Sequence, residues 1–271
     1  MWIVSTSSPL DPSHDNLPLF IRVLFFLPSA LSFALRYSTE KQIYNSPISK
    51  WTALKNRRLQ NWGGVVHEKG LLPQALPPWL TKITERIYKD TGLFPSAINH
   101  VLINEYFPDQ GIMPHQDGPA YFPVAAILSL GCPAVMNFSP HLKLTACNDV
   151  ARNTEIDTDF VSLKDDLNND ISSNHHCPFS VLLTPCSLLI FKDEAYLDYL
   201  HGIEDTTVHH LDNVVNTFEA MKQHKNSCLL GSEDRVEARS TDPIMSIQRT
   251  STRISLTCRL VSKVHKNLFK F

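Results

Sequence analysis

Eight residues near the C-terminus, Arg253-Ile254-Ser255-Leu256-Thr257-Cys258-Arg259-Leu260, alternate polar and apolar without a break. Strand side chains point to opposite faces with a period of two. Arg253, Ser255, Thr257 and Arg259 therefore share one face, and the four apolar residues share the other. The pattern specifies a half-buried strand, so the chain must build a sheet around it. On a solvent-facing strand two arginines six residues apart would be unremarkable; facing a pocket, they would bind a dicarboxylate. The 18 Pro and 9 Gly also favour strands and turns over long helices.

The chain has 271 residues, 43% of them apolar, enough for one large β domain or two small ones. The formal net charge of −2 exerts no global pull toward nucleic acid or anionic lipid, so such binding must use a local patch. Six scattered cysteines with no CxxC pair argue against a disulfide framework and for a reducing compartment. Leu17 to Leu35 is a mostly apolar run, but Arg22, Pro18 and Pro28 interrupt it. The stretch before it carries Asp11 and Asp15 and no Lys or Arg, so the basic flank of a signal peptide is missing. A buried or poorly ordered segment is expected, against an unusual start site or a targeting segment. No stable membrane association is expected.

From there the chain reads as helix, then strands. Residues 38–62 interleave Lys50, Lys55, Arg57 and Arg58 with Trp51 and Trp62, which fits either a phosphate-and-base contact or a solvated loop. Leu76, Leu80, Ile83 and Ile87 fall at helical spacing behind Pro77-Pro78, predicting a helix packed on a sheet. Val101 to Tyr106 alternates, with Leu102, Asn104 and Tyr106 on one face: a pocket wall, or an edge strand. Strands follow at 124–130 and 134–138. Phe179 to Leu183 and Ser187 to Phe191 read as an antiparallel pair around Pro185. Polar insertions are expected near 148–177 and 204–248, the second with a helix over 211–225 and with His209 and His210 solvated. His175-His176-Cys177 has no partner pair at zinc-finger spacing. Lys263, Lys266 and Lys270 form a helical basic stripe or a solubilising tail.

The chemistry lies in Pro114-His115-Gln116-Asp117. On an extended strand His115 and Asp117 share a face. An isolated HxD is weak, but His201 follows 84 residues after Asp117, and Arg253 comes 52 residues later. Two imidazoles and one carboxylate are the ligand set of a facial triad, which leaves metal positions open for a non-haem Fe(II) oxygenase. A 2-oxo acid co-substrate has a remote carboxylate that needs a fixed cation, and Arg253 suits it.

The order Asn104-x-Tyr106, Pro114-His115-x-Asp117, His201 and Arg253-x5-Arg259 resembles the AlkB family of Fe(II)/2-oxoglutarate dioxygenases. Leu59-Gln60-Asn61-Trp62-Gly63-Gly64, Leu76-Pro77-Pro78-Trp79-Leu80, Gly111-Ile112-Met113-Pro114-His115 and Leu200-His201-Gly202-Ile203 resemble its sixth-homologue branch, in a plant-like version. The resemblance covers roughly residues 41–271, leaving 1–40 as an atypical hydrophobic segment. It implies a mainly β double-stranded β-helix (jelly roll) with N-terminal helices packed on one sheet. It implies that His115, Asp117 and His201 bind iron and carry the catalysis. Arg253 would pair with the remote carboxylate of 2-oxoglutarate; Asn104, Tyr106 and Ser255 would hydrogen-bond it, with Arg259 nearby. Arg57, Arg58, Gln60, Asn61 and Trp62 match the place of a substrate lid, and Trp62 and Tyr121 are candidates to hold a base.

The cofactors implied are Fe(II), 2-oxoglutarate and O2, with ascorbate as reductant in vitro. The implied activity is oxidative demethylation of N-alkylated bases in RNA or DNA, by a monomer of the cytoplasm and nucleus. A protein side-chain hydroxylase or demethylase, a modified-RNA reader and a cupin-like metal protein are the competing readings. Residues 1–38 depart from the acidic, helical start of that branch. Were its first strand and helix missing, a sheet edge and a core face would lie exposed.

Overall fold

The computed structural model describes residues 21–25, 29–141, 177–218, 220 and 246–265. The first insertion up to His176, most of the second, and Lys266 and Lys270 lie outside the described residues.

Two antiparallel sheets face each other, as in a jelly roll. The larger contains β1 (Ile21–Phe25), β2 (Trp51–Leu54), β3 (Arg57–Trp62), β6 (His100–Tyr106), β8 (Val124–Gly131), β11 (Ser187–Lys192) and β15 (Arg253–Arg259) in the order β1-β11-β8-β15-β6-β3-β2. The smaller contains β7 (Ile112–His115), β9 (Ala134–Pro140), β10 (Phe179–Leu183) and β12 (Tyr199–Ile203) in the order β10-β9-β12-β7. Two two-stranded sheets stand apart: β4 (Gly64–His67) with β5 (Gly70–Pro73), and β13 (Val208–His210) with β14 (Ser246–Gln248).

Helices cover the outer face of the large sheet. These are α1 (Ser29–Tyr44) and α2 (Pro78–Thr91); a short α3 (Glu194–Leu197) joins β11 to β12. Pro78 opens α2, where a missing N–H costs nothing, and Gly92 closes it in the left-handed conformation. Leu80 and Ile87 of α2 pack with Val101, Ile103, Ile254, Leu256 and Cys258 of the sheet. A second cluster, including Ile127, Phe138, Val181 and Phe191, fills the space between the sheets. The large sheet is thus covered on both faces. That is why β15 is buried at all seven positions, and not half-buried as its alternation predicts: its polar face meets the cleft between the sheets and not solvent.

Three further expectations are corrected. The 179–183 and 187–191 segments do not pair with each other; β10 pairs with β9, and β11 with β8 and β1. The turn between them crosses from one sheet to the other, a tertiary choice that two short apolar runs do not reveal. Residues 211–216 form turns, with helix beginning only at Thr217. His209 is buried in β13, where its Nδ1 accepts the Val135 amide at 3.3 Å. At the N-terminus, β1 covers the β11 edge, so the first strand and helix are present within the atypical segment. Tyr44 at the end of α1 donates to Glu105 at 2.8 Å, and Arg58 pairs with the same buried carboxylate, tying that helix to the sheet.

Candidate active site

A cavity of about 610 Å³ opens between the sheets. Its lining includes all eight residues expected at the metal and co-substrate: His115, Asp117, His201, Asn104, Tyr106, Arg253, Ser255 and Arg259. Strand pairing brings them together. β12 runs beside β7 so that His201 and His115 are register partners, their rings 4.4 Å apart. Asp117 follows just beyond β7, and one donor atom from each of the three lies within 4.8 Å of the others. Across the cleft, β15 pairs with β6 so that Arg253 faces Tyr106 and Ser255 faces Asn104.

The two imidazoles are set up as neutral donors. Burial lowers the His115 pKa, and burial plus the His115 charge pushes His201 down to about 3. His115 Nδ1 lies 2.9 Å from the Met113 carbonyl, an acceptor only, so Nδ1 carries the proton and Nε2 keeps its lone pair. Asp117 is held by Arg259, with Arg259 Nε donating to Oδ2 at 2.7 Å and a second bond from Nη2 to Oδ1. Burial pushes the Arg259 pKa down, and the Asp117 carboxylate together with Tyr121 and Tyr196 more than offsets it.

Arg253 is fully buried, and burial brings its pKa down to about 10. One Nη2–H reaches Ser129 Oγ at 3.1 Å, and the guanidinium lies 5.5 Å from the Tyr106 ring centroid. Its Nε has no partner among the described residues. A buried cation with an unused donor on a cavity wall requires an anion, because an unpaired buried donor is costly. Two neutral imidazoles and a carboxylate that converge beside an under-used guanidinium fit a mononuclear Fe(II) centre and a dicarboxylate co-substrate.

The expected lid divides by strand parity. Arg57 lines the cavity and donates to Asn104 Oδ1 at 3.1 Å. Arg58, Gln60 and Trp62 point the other way. Arg58 pairs with Glu105 and lies over Trp51, Gln60 donates to the Ile43 carbonyl, and Trp62 packs edge-on against Trp79. These three brace the outer helical layer and are not lid residues. Asn61 is on the cavity side of β3 but bonds to His100 and does not line the cavity. Tyr121 does line it, and Leu54, Lys55 and Asn56 at the β2–β3 turn join Arg57 there. Asn56 bonds to Asp205 beyond β12.

Arg249 carries no motif in the sequence. It is buried and donates to the carbonyls of Gln110 at 2.7 Å and Phe107 at 3.0 Å, clamping the turn that leads from β6 into β7. Its partners are backbone groups about 140 residues away, which leave no side-chain signal.

A family model described as "2OG-Fe(II) oxygenase superfamily" matches residues 35–259. The chain belongs to this superfamily. A zebrafish (Danio rerio) protein, "Probable RNA/DNA demethylase ALKBH6", is 34% identical over 251 residues, covering 91% of this chain and 89% of the relative. That match places the oxygenase in the AlkB family. It is a 2-oxoglutarate-dependent dioxygenase that uses Fe(II) and O2. Among solved structures the oxygenase is similar to OsALKBH1, with a TM-score of 0.46 and 14% identity over 90% of this chain and 97% of that one. It is also similar to a Pseudomonas putida prolyl-4-hydroxylase, with a TM-score of 0.42 and 11% identity over 89% and 91%. No helix among the described residues is long and apolar enough to cross a membrane.

Proposed function

We propose that this dioxygenase demethylates N-alkylated nucleobases in RNA or DNA, with His115, Asp117 and His201 as its iron ligands. The observation that carries the ligand assignment is the convergence of those three donor groups within 4.8 Å, in a cavity that also holds the buried Arg253. The RNA/DNA demethylase name of the zebrafish relative supports the substrate class, as do Lys55 and Arg57 at the cavity wall.

When bound, iron and 2-oxoglutarate together activate O2 for hydroxylation of a methyl group, with succinate and CO2 as the spent co-substrate. The chain's residues do the positioning. Arg253 takes the remote carboxylate of 2-oxoglutarate, and Ser129 fixes the guanidinium from behind. Asn104, Tyr106 and Ser255 offer hydrogen bonds along the co-substrate, and Arg259 holds the Asp117 carboxylate. His115 and His201 bind as neutral imidazoles, so metal loading at neutral pH displaces no proton from them. The β2–β3 turn brings Lys55 and Arg57 to an incoming backbone phosphate, and the walls shield the reacting methyl group from water. The methylated base must be unstacked or single-stranded to enter. The oxygenase acts as a monomer in the cytoplasm and nucleus.

The test is incubation with Fe(II), ascorbate and 2-oxoglutarate on a panel of methylated RNA and DNA oligonucleotides, read by mass spectrometry and formaldehyde release. Loss of a methyl mass from at least one base, abolished in Asp117→Ala, is expected. Turnover on methylated peptides alone would transfer the assignment to protein side chains.

A further inference from the structure

Arg259 secures the carboxylate of the proposed iron triad, and something must secure Arg259. Its guanidinium lies 4.9 Å from the Tyr121 ring centroid. The groups that favour its charged form come from three elements: Asp117 after β7, Tyr121 in the loop before β8, and Tyr196 on α3. Tyr196 is buried with a hydroxyl that has no partner among the described residues, so it does not orient the guanidinium through a fixed hydrogen bond. Tyr121 differs, because its hydroxyl lies 3.3 Å from His100 Nδ1.

The direction of that bond follows from its neighbour. His100 Nε2 lies 2.8 Å from Asn61 Oδ1, an acceptor only, so Nε2 carries the ring proton. His100 is almost wholly buried, and burial with the Arg259 charge brings its pKa down to about 4, so the ring is neutral and has one proton to give. Nδ1 is then an acceptor, and Tyr121 must donate to it. With its proton committed, the phenol presents only lone pairs to other groups. Burial raises the Tyr121 pKa, and the Arg259 charge opposes it. Asn61, His100 and Tyr121 thus form a directed hydrogen-bond series from β3 whose last ring lies against Arg259, the residue that holds Asp117.

We propose that Tyr121 is a positioning residue for metal loading: its phenol, oriented by His100 and Asn61, seats Arg259 so that Asp117 presents a fixed carboxylate. This gives Tyr121 a different task from holding the substrate base. It rests on the ligand assignment above, and not on the substrate class. Outer partners of a metal ligand typically change affinity by roughly 10–100-fold when removed.

The experiment is Co(II) titration of the full chain by calorimetry and by the visible Co(II) spectrum, in the absence of substrate. Tyr121→Phe keeps the ring and removes the hydroxyl; it should weaken Co(II) binding by about ten-fold. His100→Leu should lose about as much, and the double variant no more than either single, since one series is broken twice. His100→Asn, which keeps an acceptor near Nδ1, should recover most of the affinity. Thermal melting of each variant reports folding. Should His100→Leu not fold, Tyr121→Phe alone decides. Unchanged Co(II) affinity in Tyr121→Phe, with a raised KM for the methylated oligonucleotide, would make Tyr121 a substrate contact and overturn the proposal. Additive losses in the double variant would also overturn it. Co(II) binding with this pattern but no demethylation of any oligonucleotide supports the positioning role while removing the substrate assignment.

Discussion

Arg259, the last residue of β15, grips both carboxylate oxygens of Asp117 in a pair that is almost wholly buried on each side. Asp117 is thus both the proposed acidic metal ligand and the counter-ion of a buried arginine. Removing it breaks two things at once. Asp117→Ala should abolish Co(II) binding in calorimetry. It should also lower unfolding stability by about 3–5 kcal/mol in denaturant melts, because Arg259 is left buried and unpaired. Arg259→Lys keeps the charge and should lose only part as much stability, since an ammonium cannot reproduce the two-bond fork.

Arg253 offers an unpartnered Nε inside a closed setting. Arg253→Leu removes a buried cation and should cost the folded protein little, while raising the 2-oxoglutarate dissociation constant by about 100-fold. That corresponds to the roughly 2–3 kcal/mol of a charge-assisted bond. Thermal shift gives a direct readout: saturating 2-oxoglutarate with Mn(II) should raise the melting temperature of the parent chain and not of Arg253→Leu.

Gly111 stands at the entry to β7, and a Cβ built there would lie 2.1 Å from the Ile203 carbonyl. Gly111→Ala must push β7 away from β12 at the end of the strand pair that aligns His115 with His201. Co(II) affinity should fall at least ten-fold, with a smaller loss of stability. Arg249→Met, which releases the carbonyls of Phe107 and Gln110 at the same turn, should act in the same direction.

Three buried histidines, His100, His201 and His209, are held well below their ordinary value, His100 and His209 at about 4 and His201 at about 3, chiefly by burial. The unfolded chain takes up these protons near pH 6.5, and the folded chain takes them up only at lower pH. Their contribution is therefore fully present above about pH 6.5 and is lost as pH falls toward 4. The melting temperature of metal-free protein should be flat from pH 8 to 7 and decline steadily below 6.5. His209→Asn, which keeps an acceptor for the Val135 amide, should make that decline shallower.

Lys55 and Arg57 supply the cations of the β2–β3 turn. If they meet backbone phosphate, the double variant Lys55→Gln/Arg57→Gln should raise the oligonucleotide KM and flatten its salt dependence by up to about two charges. The 2-oxoglutarate KM should change far less. An unchanged salt slope would remove phosphate from their role.

Side-chain alternation is legible along single strands. The alternation of β15 sets Arg253 and Ser255 apart from their apolar neighbours, that of β6 puts Asn104 and Tyr106 on one face with Leu102, and all five line the cavity. The same parity, applied to β3, would have sent Arg57 inward and Arg58, Gln60 and Trp62 outward. The basic and aromatic residues of β3 lie on two faces of one strand and do not form one surface.

The sequence by itself determined the strand faces, the α2 helix with its Pro start, and the chemical types that a metal and a dicarboxylate require. These are local properties, set by backbone periodicity and side-chain chemistry. Tertiary structure decided which strands pair across the sheets, and so placed His201 beside His115 and Asp117 in the grip of Arg259. It also buried Arg249, His100 and His209 in polar roles whose partners are backbone carbonyls or residues from distant strands. Such contacts follow from how two sheets close over one another, and no local pattern encodes them.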